Sequence, residues 1–213
     1  TGRSMTHLLH EAREIIREAV NAGPGGRVLA CGTGATGAID RLQGILGVAL
    51  SPVTRRRLFE ALGPEAAAVA QARLDQREPV VFVGPYEHHS NEVSWREGLA
   101  TVVPVDLDAD GGIDLGHLES LLGDPAFAGR PLIGSFSAAS NVTGMLSPVH
   151  DLARLLHRHG AVACFDYAAS GPYVRIDMSP GPDPDGADPS LDAVFLSPHK
   201  FIGGPGTPGI LVF

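Results

Sequence analysis

Lys200 follows an apolar run at 193–196, with Ser197 and His199 just before it and Gly203-Gly204-Pro205-Gly206 just after. A lysine held at a desolvated strand end can lose its proton and attack a carbonyl carbon. Asp166 ends a second apolar run, 161–165. A carboxylate there is costly unless it has a partner. Either the strand end exposes it to water, or it meets a cationic group in a cleft, such as a protonated pyridine nitrogen.

Two further polar clusters follow apolar runs. Tyr86-Glu87-His88-His89-Ser90-Asn91 comes after the run at 79–83, and Ser140-Asn141-Val142-Thr143-Gly144 after the run at 131–136. Adjacent side chains on an extended segment point in opposite directions. No third and fourth ligand stands at zinc-like spacing, so no metal is expected. One histidine stacking its ring on a planar ligand is the functional alternative to a hydrogen-bonded histidine at a helix start. Asn141 can aim its amide at a ligand oxygen or shape a turn.

Gly32-Thr33-Gly34-Ala35-Thr36-Gly37 reads G-x-G-x-x-G between an apolar run and a helix. A dinucleotide fold would place a second strand after that helix, tipped by Asp or Glu about 20 residues on. Here residues 46–63 read as helix and loop, and Glu60 falls inside the helical stretch. An NAD-binding Rossmann domain and a tight turn that binds nothing both remain alternatives to a phosphate site. In either binding reading, small residues admit the backbone to a phosphate and the helix start offers free N–H groups. Thr36 adds a hydroxyl.

These residues need a scaffold. Short apolar runs at 79–83, 101–105, 131–136, 161–165, 193–196 and 209–213 are mostly continuous rather than alternating, which suits strands buried on both faces. Helical spacing appears at 5–20, with one face for packing, and helices are expected at 36–46, 51–63, 114–122 and 148–159. Ser51 and Ser147 are the expected caps, with Pro52 at a first helical position. Strands alternating with helices predict an α/β fold with a mainly parallel sheet. Ligands in such sheets bind beyond the carboxyl ends of the strands, where each polar cluster falls. Residues 179–190, rich in Pro, Gly and Asp, read as a mobile surface loop.

Among 213 residues, 44% are hydrophobic and 19% charged, an ordinary globular balance. The net charge of −8 disfavours a nucleic-acid surface, and the Arg55-Arg56-Arg57 run reads as a solvated face. No apolar stretch is long enough to span a bilayer, and no signal-peptide core opens the chain. Cys31 and Cys164, both in apolar runs, read as buried free thiols of a reduced, cytoplasmic compartment. The chain lacks an initial Met and stops on an apolar run, which suggests a piece of a longer protein.

Taken together in order and spacing, these segments resemble the class V aminotransferase family of pyridoxal 5′-phosphate (PLP) enzymes. The cysteine desulfurase and selenocysteine lyase branch is the most similar. The resemblance implies a fold-type I large domain over 26–213, a three-layer α/β/α sandwich, preceded by an N-terminal helix within 1–25. It implies that Lys200 forms the Schiff base, that Asp166 pairs with the pyridine nitrogen and that His88 stacks on the ring, these three being the catalytic set. Ala35 and Thr36 would sit at the phosphate with Ser197 and His199, and Asn141 at the phenolic oxygen. It also implies an amino-acid substrate and a homodimer, with no nucleic-acid or membrane partner. A class V transaminase is the nearest alternative activity, kynureninase-like cleavage a more distant one, and a noncatalytic module of the same fold the alternative of another kind.

The sequence departs from the family in two places. Ala169 stands where the family usually has a glutamine donating to the phenolic oxygen, and Glu92 where it tends to be apolar. The family's small C-terminal domain, with the substrate-carboxylate arginine and the mobile cysteine of desulfurases, has no counterpart in these residues. Neither cysteine present matches that one by position.

Overall fold

The apolar runs fold as strands in a computed structural model that describes residues 2–213. They are β1 (Val28–Cys31), β2 (Val80–Val83), β3 (Thr101–Pro104), β4 (Leu132–Ser137), β5 (Val162–Asp166), β6 (Ala193–Leu196) and β7 (Gly209–Val212). The seven make one sheet in the order β1-β7-β6-β5-β4-β2-β3. The strands from β3 through β6 pair in parallel, while β7 runs antiparallel to both β6 and β1. The helices are α1 (Gly2–Ala19), α2 (Gly34–Ile45), α3 (Pro52–Leu62), α4 (Pro64–Asp75), α5 (Val93–Arg96), α6 (Leu115–Leu122) and α7 (Val149–Arg158).

Successive side chains of a strand point to opposite faces, so each continuous apolar run feeds two cores. Val80, Phe82, Phe136, Phe165 and Val194 pack on one face with α6, α7 and the end of α1. Val81, Val83, Cys164, Phe195 and Leu211 pack on the other with α2 and the buried Trp95 of α5. The result is the expected three-layer α/β/α sandwich. At Gly134 of β4, an added Cβ would lie 2.5 Å from Leu156 Cδ1, so the missing side chain lets α7 approach the sheet.

Three expectations need correction. The spacing of α1 predicts a packed face, yet no residue of the helix is buried, and Met5, Leu8, Leu9 and Ile15 are exposed; only Ile16, near its end, packs against the core. The helix α4 has no counterpart in the apolar spacing. Its Ala-rich sequence favours helix intrinsically without an apolar stripe, and neither α3 nor α4 buries a residue. Ser51 does cap α3 by accepting from the Thr54 N–H, but Ser147 does not cap α7. Its hydroxyl instead donates to the Ser137 carbonyl at 2.6 Å and meets Tyr86 Oη at 3.0 Å. The 179–190 segment is a surface loop, as expected, and meets one face of α7. Arg154 pairs with Asp183, His150 Nδ1 lies 2.9 Å from the Pro189 carbonyl, and His157 reaches Asp188 and Asp192.

Both cysteines are free; Cys164 is buried and Cys31 half-buried. Burial raises both thiols, Cys164 well above the ordinary thiol range, so neither is a ready thiolate. Among the described residues, no helix is long and apolar enough to cross a membrane.

Candidate active site

A cleft of about 220 Å³ opens at the carboxyl ends of β2, β4, β5 and β6. Ala35, Thr36, His88, Asn141, Asp166, Ser197, His199 and Lys200 all line it. Five segments far apart in sequence meet there because the parallel strands deliver their carboxyl ends to one edge of the sheet.

Lys200 closes a 3₁₀ turn, Pro198–Lys200, directly after β6, and its amide donates to the Ser197 carbonyl at 2.9 Å. Ser197 itself is buried, and its hydroxyl accepts the Ala35 N–H at 2.8 Å, joining the start of α2 to the end of β6. Asp166, at the tip of β5, is 4% exposed. Its carboxylate accepts the Ala168 N–H at 2.8 Å. Burial raises its pKa, while the Ala168 hydrogen bond and the charges of Lys200 and His88 pull the other way. His88 precedes a 3₁₀ turn at His89–Asn91; its Nδ1 accepts the Ser90 N–H at 3.2 Å and lies 2.8 Å from the Ser90 hydroxyl. That acceptor role fixes the ring and leaves Nε2 as the protonated nitrogen of the neutral form. His89 does not line the cleft, so the two histidines part as adjacent residues should. Asn141 is exposed at the rim. Ala168 and Ala169 give the wall methyl groups, so no side-chain amide stands at position 169. Glu92, outside the cleft, pairs with Arg96 one helical turn away at 2.7 Å.

Two features fit a phosphate-bearing planar cofactor. His199 Nδ1 is buried with no hydrogen-bond partner among the described residues, and a buried polar atom of that kind calls for one. Gly34 adopts φ +59, and an added Cβ would stand 2.6 Å from His199 Cε1 and 3.0 Å from Ser197 Oγ. The start of α2 therefore closes on Ser197 and His199 only because position 34 has no side chain.

Several contributors escape sequence reading. Thr33, Ser90, Ser137 and Ala139 also line the cleft. Ser137 had a signal: it ends its strand as Asp166 ends the next, and the two are register partners across β4 and β5. Glu87 shared the signal of the polar cluster after the run at 79–83, but its partners are assembled only by tertiary contact. Its pKa is raised to about 7 by burial, against hydrogen bonds from Ser137 and Asn91 that favour the charged form.

The stretch after α2 holds two helices and no strand before β2. The acid-tipped second strand of a dinucleotide-binding fold is thus missing among the described residues. The aminotransferase class-V family model matches residues 63–213, and the chain belongs to that family. Its relatives include a probable cysteine desulfurase of Halalkalibacterium halodurans, 30% identical over 147 residues, 67% of this chain and 33% of that protein. A probable cysteine desulfurase of Chlamydia muridarum is 42% identical over 99 residues, 43% of this chain and 24% of the relative. Among solved structures, a NifS-like protein from Rickettsia africae aligns with a TM-score of 0.69 at 18% identity, covering 99% of this chain and 48% of its own. The cysteine desulfurase CsdA of Escherichia coli aligns with a TM-score of 0.67 at 23% identity, covering 98% and 44%. The chain spans a third of the first relative, a quarter of the second and about half of each of the two structures. Cysteine desulfurases and class V aminotransferases are PLP-dependent enzymes.

Proposed function

We propose that this chain is the cofactor-binding part of a PLP-dependent enzyme that acts on an amino acid in the manner of a cysteine desulfurase, with Lys200 as the covalent attachment point. The observation that carries the reading is the convergence of Lys200, Asp166, His88, Ser197, His199 and the start of α2 on one cleft. Bound there, PLP supplies an electron sink for chemistry at the substrate's α-carbon.

The residues divide the work by their surroundings. Lys200 would hold the cofactor through Nζ and, once freed, carry a proton at the substrate's α-carbon. Asp166 faces the cleft from a buried position, where an anion stabilises a protonated ring nitrogen strongly. His88, fixed through Nδ1, presents its ring for stacking. Ser197, His199 and Thr36 at the start of α2 would take the phosphate, with Ala35 holding Ser197 in place through its N–H, and Asn141 the phenolic oxygen. A homodimer in the cytoplasm completes the proposal.

A class V transaminase is the second reading, because the matching family model is that of the class V aminotransferases. Purified full-length protein supplied with PLP and L-cysteine separates the two. Alanine with persulfide or sulfide supports the desulfurase; a keto acid formed only with an added amino acceptor supports the transaminase. Failure to turn over any amino acid would count against both.

A further inference from the structure

One ionisable group beside the cleft has no part in the proposed chemistry. Glu87 stands one residue before His88, and although the residue is half-buried overall, its carboxylate is the enclosed end. Oε1 accepts the Ser137 N–H at 2.8 Å and the Gly84 N–H at 3.2 Å. Oε2 accepts the Ser137 hydroxyl and the Asn91 side-chain amide, both at 2.7 Å. Asn91 is fully buried and accepts in turn from the Ser135 hydroxyl at 2.6 Å. Gly84 directly follows β2, Ser137 ends β4, and Asn91 closes the turn that His88 precedes. Four donors from three segments thus converge on one carboxylate.

We infer that Glu87 is a positioning residue of the site, its carboxylate pinning the His88 turn to the carboxyl ends of β2 and β4 and standing as a second anion beside Asp166.

All four partners can donate at once only to the deprotonated group; a proton on Oε2 would turn the Ser137 hydroxyl from donor to acceptor, and one on Oε1 would displace an N–H donor. Among the described residues, no cation acts on the carboxylate. The titratable groups that act on it are Asp166 of β5 and, next to it in sequence, Tyr86. β4 offers hydroxyls and an amide, and β2 an amide. Burial is the chief cause raising Glu87 to about 7, and the Asp166 charge pushes the same way. Protonation of Glu87 near neutral pH therefore loosens the His88 turn and removes an anion from beside Asp166.

The inference rests on the PLP reading for its consequence but not for its geometry, and the test separates them. Glu87→Gln and Ser137→Ala are compared with the native protein by hydrogen exchange without cofactor, and by visible absorbance against pH with PLP added. Glu87→Gln leaves two of the four donors without an acceptor. Exchange across 84–92 should rise about tenfold, as should the PLP dissociation constant, the equivalent of one charge-assisted hydrogen bond. Exchange in β5 and β6 should stay native. The absorbance of the Lys200-bound cofactor should show a step near pH 7 in the native protein that Glu87→Gln abolishes. Ser137→Ala should move that step to higher pH, because it removes a hydrogen bond favouring the charged form. If Glu87→Gln fails to fold, Ser137→Ala carries the test by that shift. Native exchange and an unchanged absorbance profile in the variants would overturn the inference. Absence of a visible band in the native protein would instead sink the PLP reading, and exchange across 84–92 would then decide for or against the pinning role alone.

Discussion

Asp166 and Glu87 are two enclosed carboxylates separated in sequence by 79 positions; Ser137, which donates to Glu87, is the register partner of Asp166 across β4 and β5. Asp166 reaches the cleft and Glu87 does not. Asp166→Asn keeps the shape but removes the anion. It should leave the Lys200 attachment intact and lower turnover about a hundredfold or more, the scale of a lost proton-handling group. Steady-state kinetics on the full-length enzyme check this; native turnover would show that Asp166 is not the ring partner. Gly34→Ala should weaken PLP binding and lower the melting temperature together, because a Cβ meets His199 and the φ of +59 disfavours L side chains. The placement of Lys200, Asp166 and His88 along one cleft was legible in the sequence because each follows an apolar run. Ser137 and Glu87 were harder, since a serine at a strand end is common and the donors around Glu87 come from segments up to 50 residues away.

Strands were more legible than helices. Burial on both faces forces continuous apolar runs, and six such runs became β2 to β7 within a residue or two at each end. The helix α4 was invisible because it packs no apolar face, and the role of Ser147 was misread because its hydroxyl is used between elements, for Ser137 and Tyr86, rather than within one. Two glycine substitutions should move stability in opposite directions. Gly134→Ala would put a Cβ 2.5 Å from Leu156 and 2.7 Å from Phe136, so urea denaturation should show a loss of about 1–3 kcal/mol from overpacking. Gly44→Ala, inside α2 with open space around it, should add about 0.5–1 kcal/mol through helix propensity. A Gly134→Ala protein as stable as the native one would contradict the close α7–β4 approach.

Across the molecule, the titrating groups bias stability toward mildly acidic pH. Glu87 rises in the folded state from 4.5 to about 7, so its contribution is full below 4.5 and lost as pH climbs to 7. Asp166 shifts the same way. Burial pulls His157 down, but hydrogen bonds with Asp192 and Asp188 outweigh it, and the net shift is upward from 6.5. Its contribution is present below 6.5 and fades as pH passes the raised value. Asp183 and Asp188 act oppositely: both are lowered, so their stabilisation fades only as pH falls below 3.8. The cofactor-free protein should therefore need less urea to unfold at about pH 8 than at about pH 5. A midpoint that rises over that interval would contradict these assignments.

The measurement that bears hardest on the whole reading is the visible spectrum of the purified protein with PLP, followed by borohydride reduction and peptide mapping. The geometry predicts a yellow band that disappears on reduction, with the label on Lys200 alone. No band, or a label spread over other amines while Lys200 stays unmodified, would contradict the cofactor site.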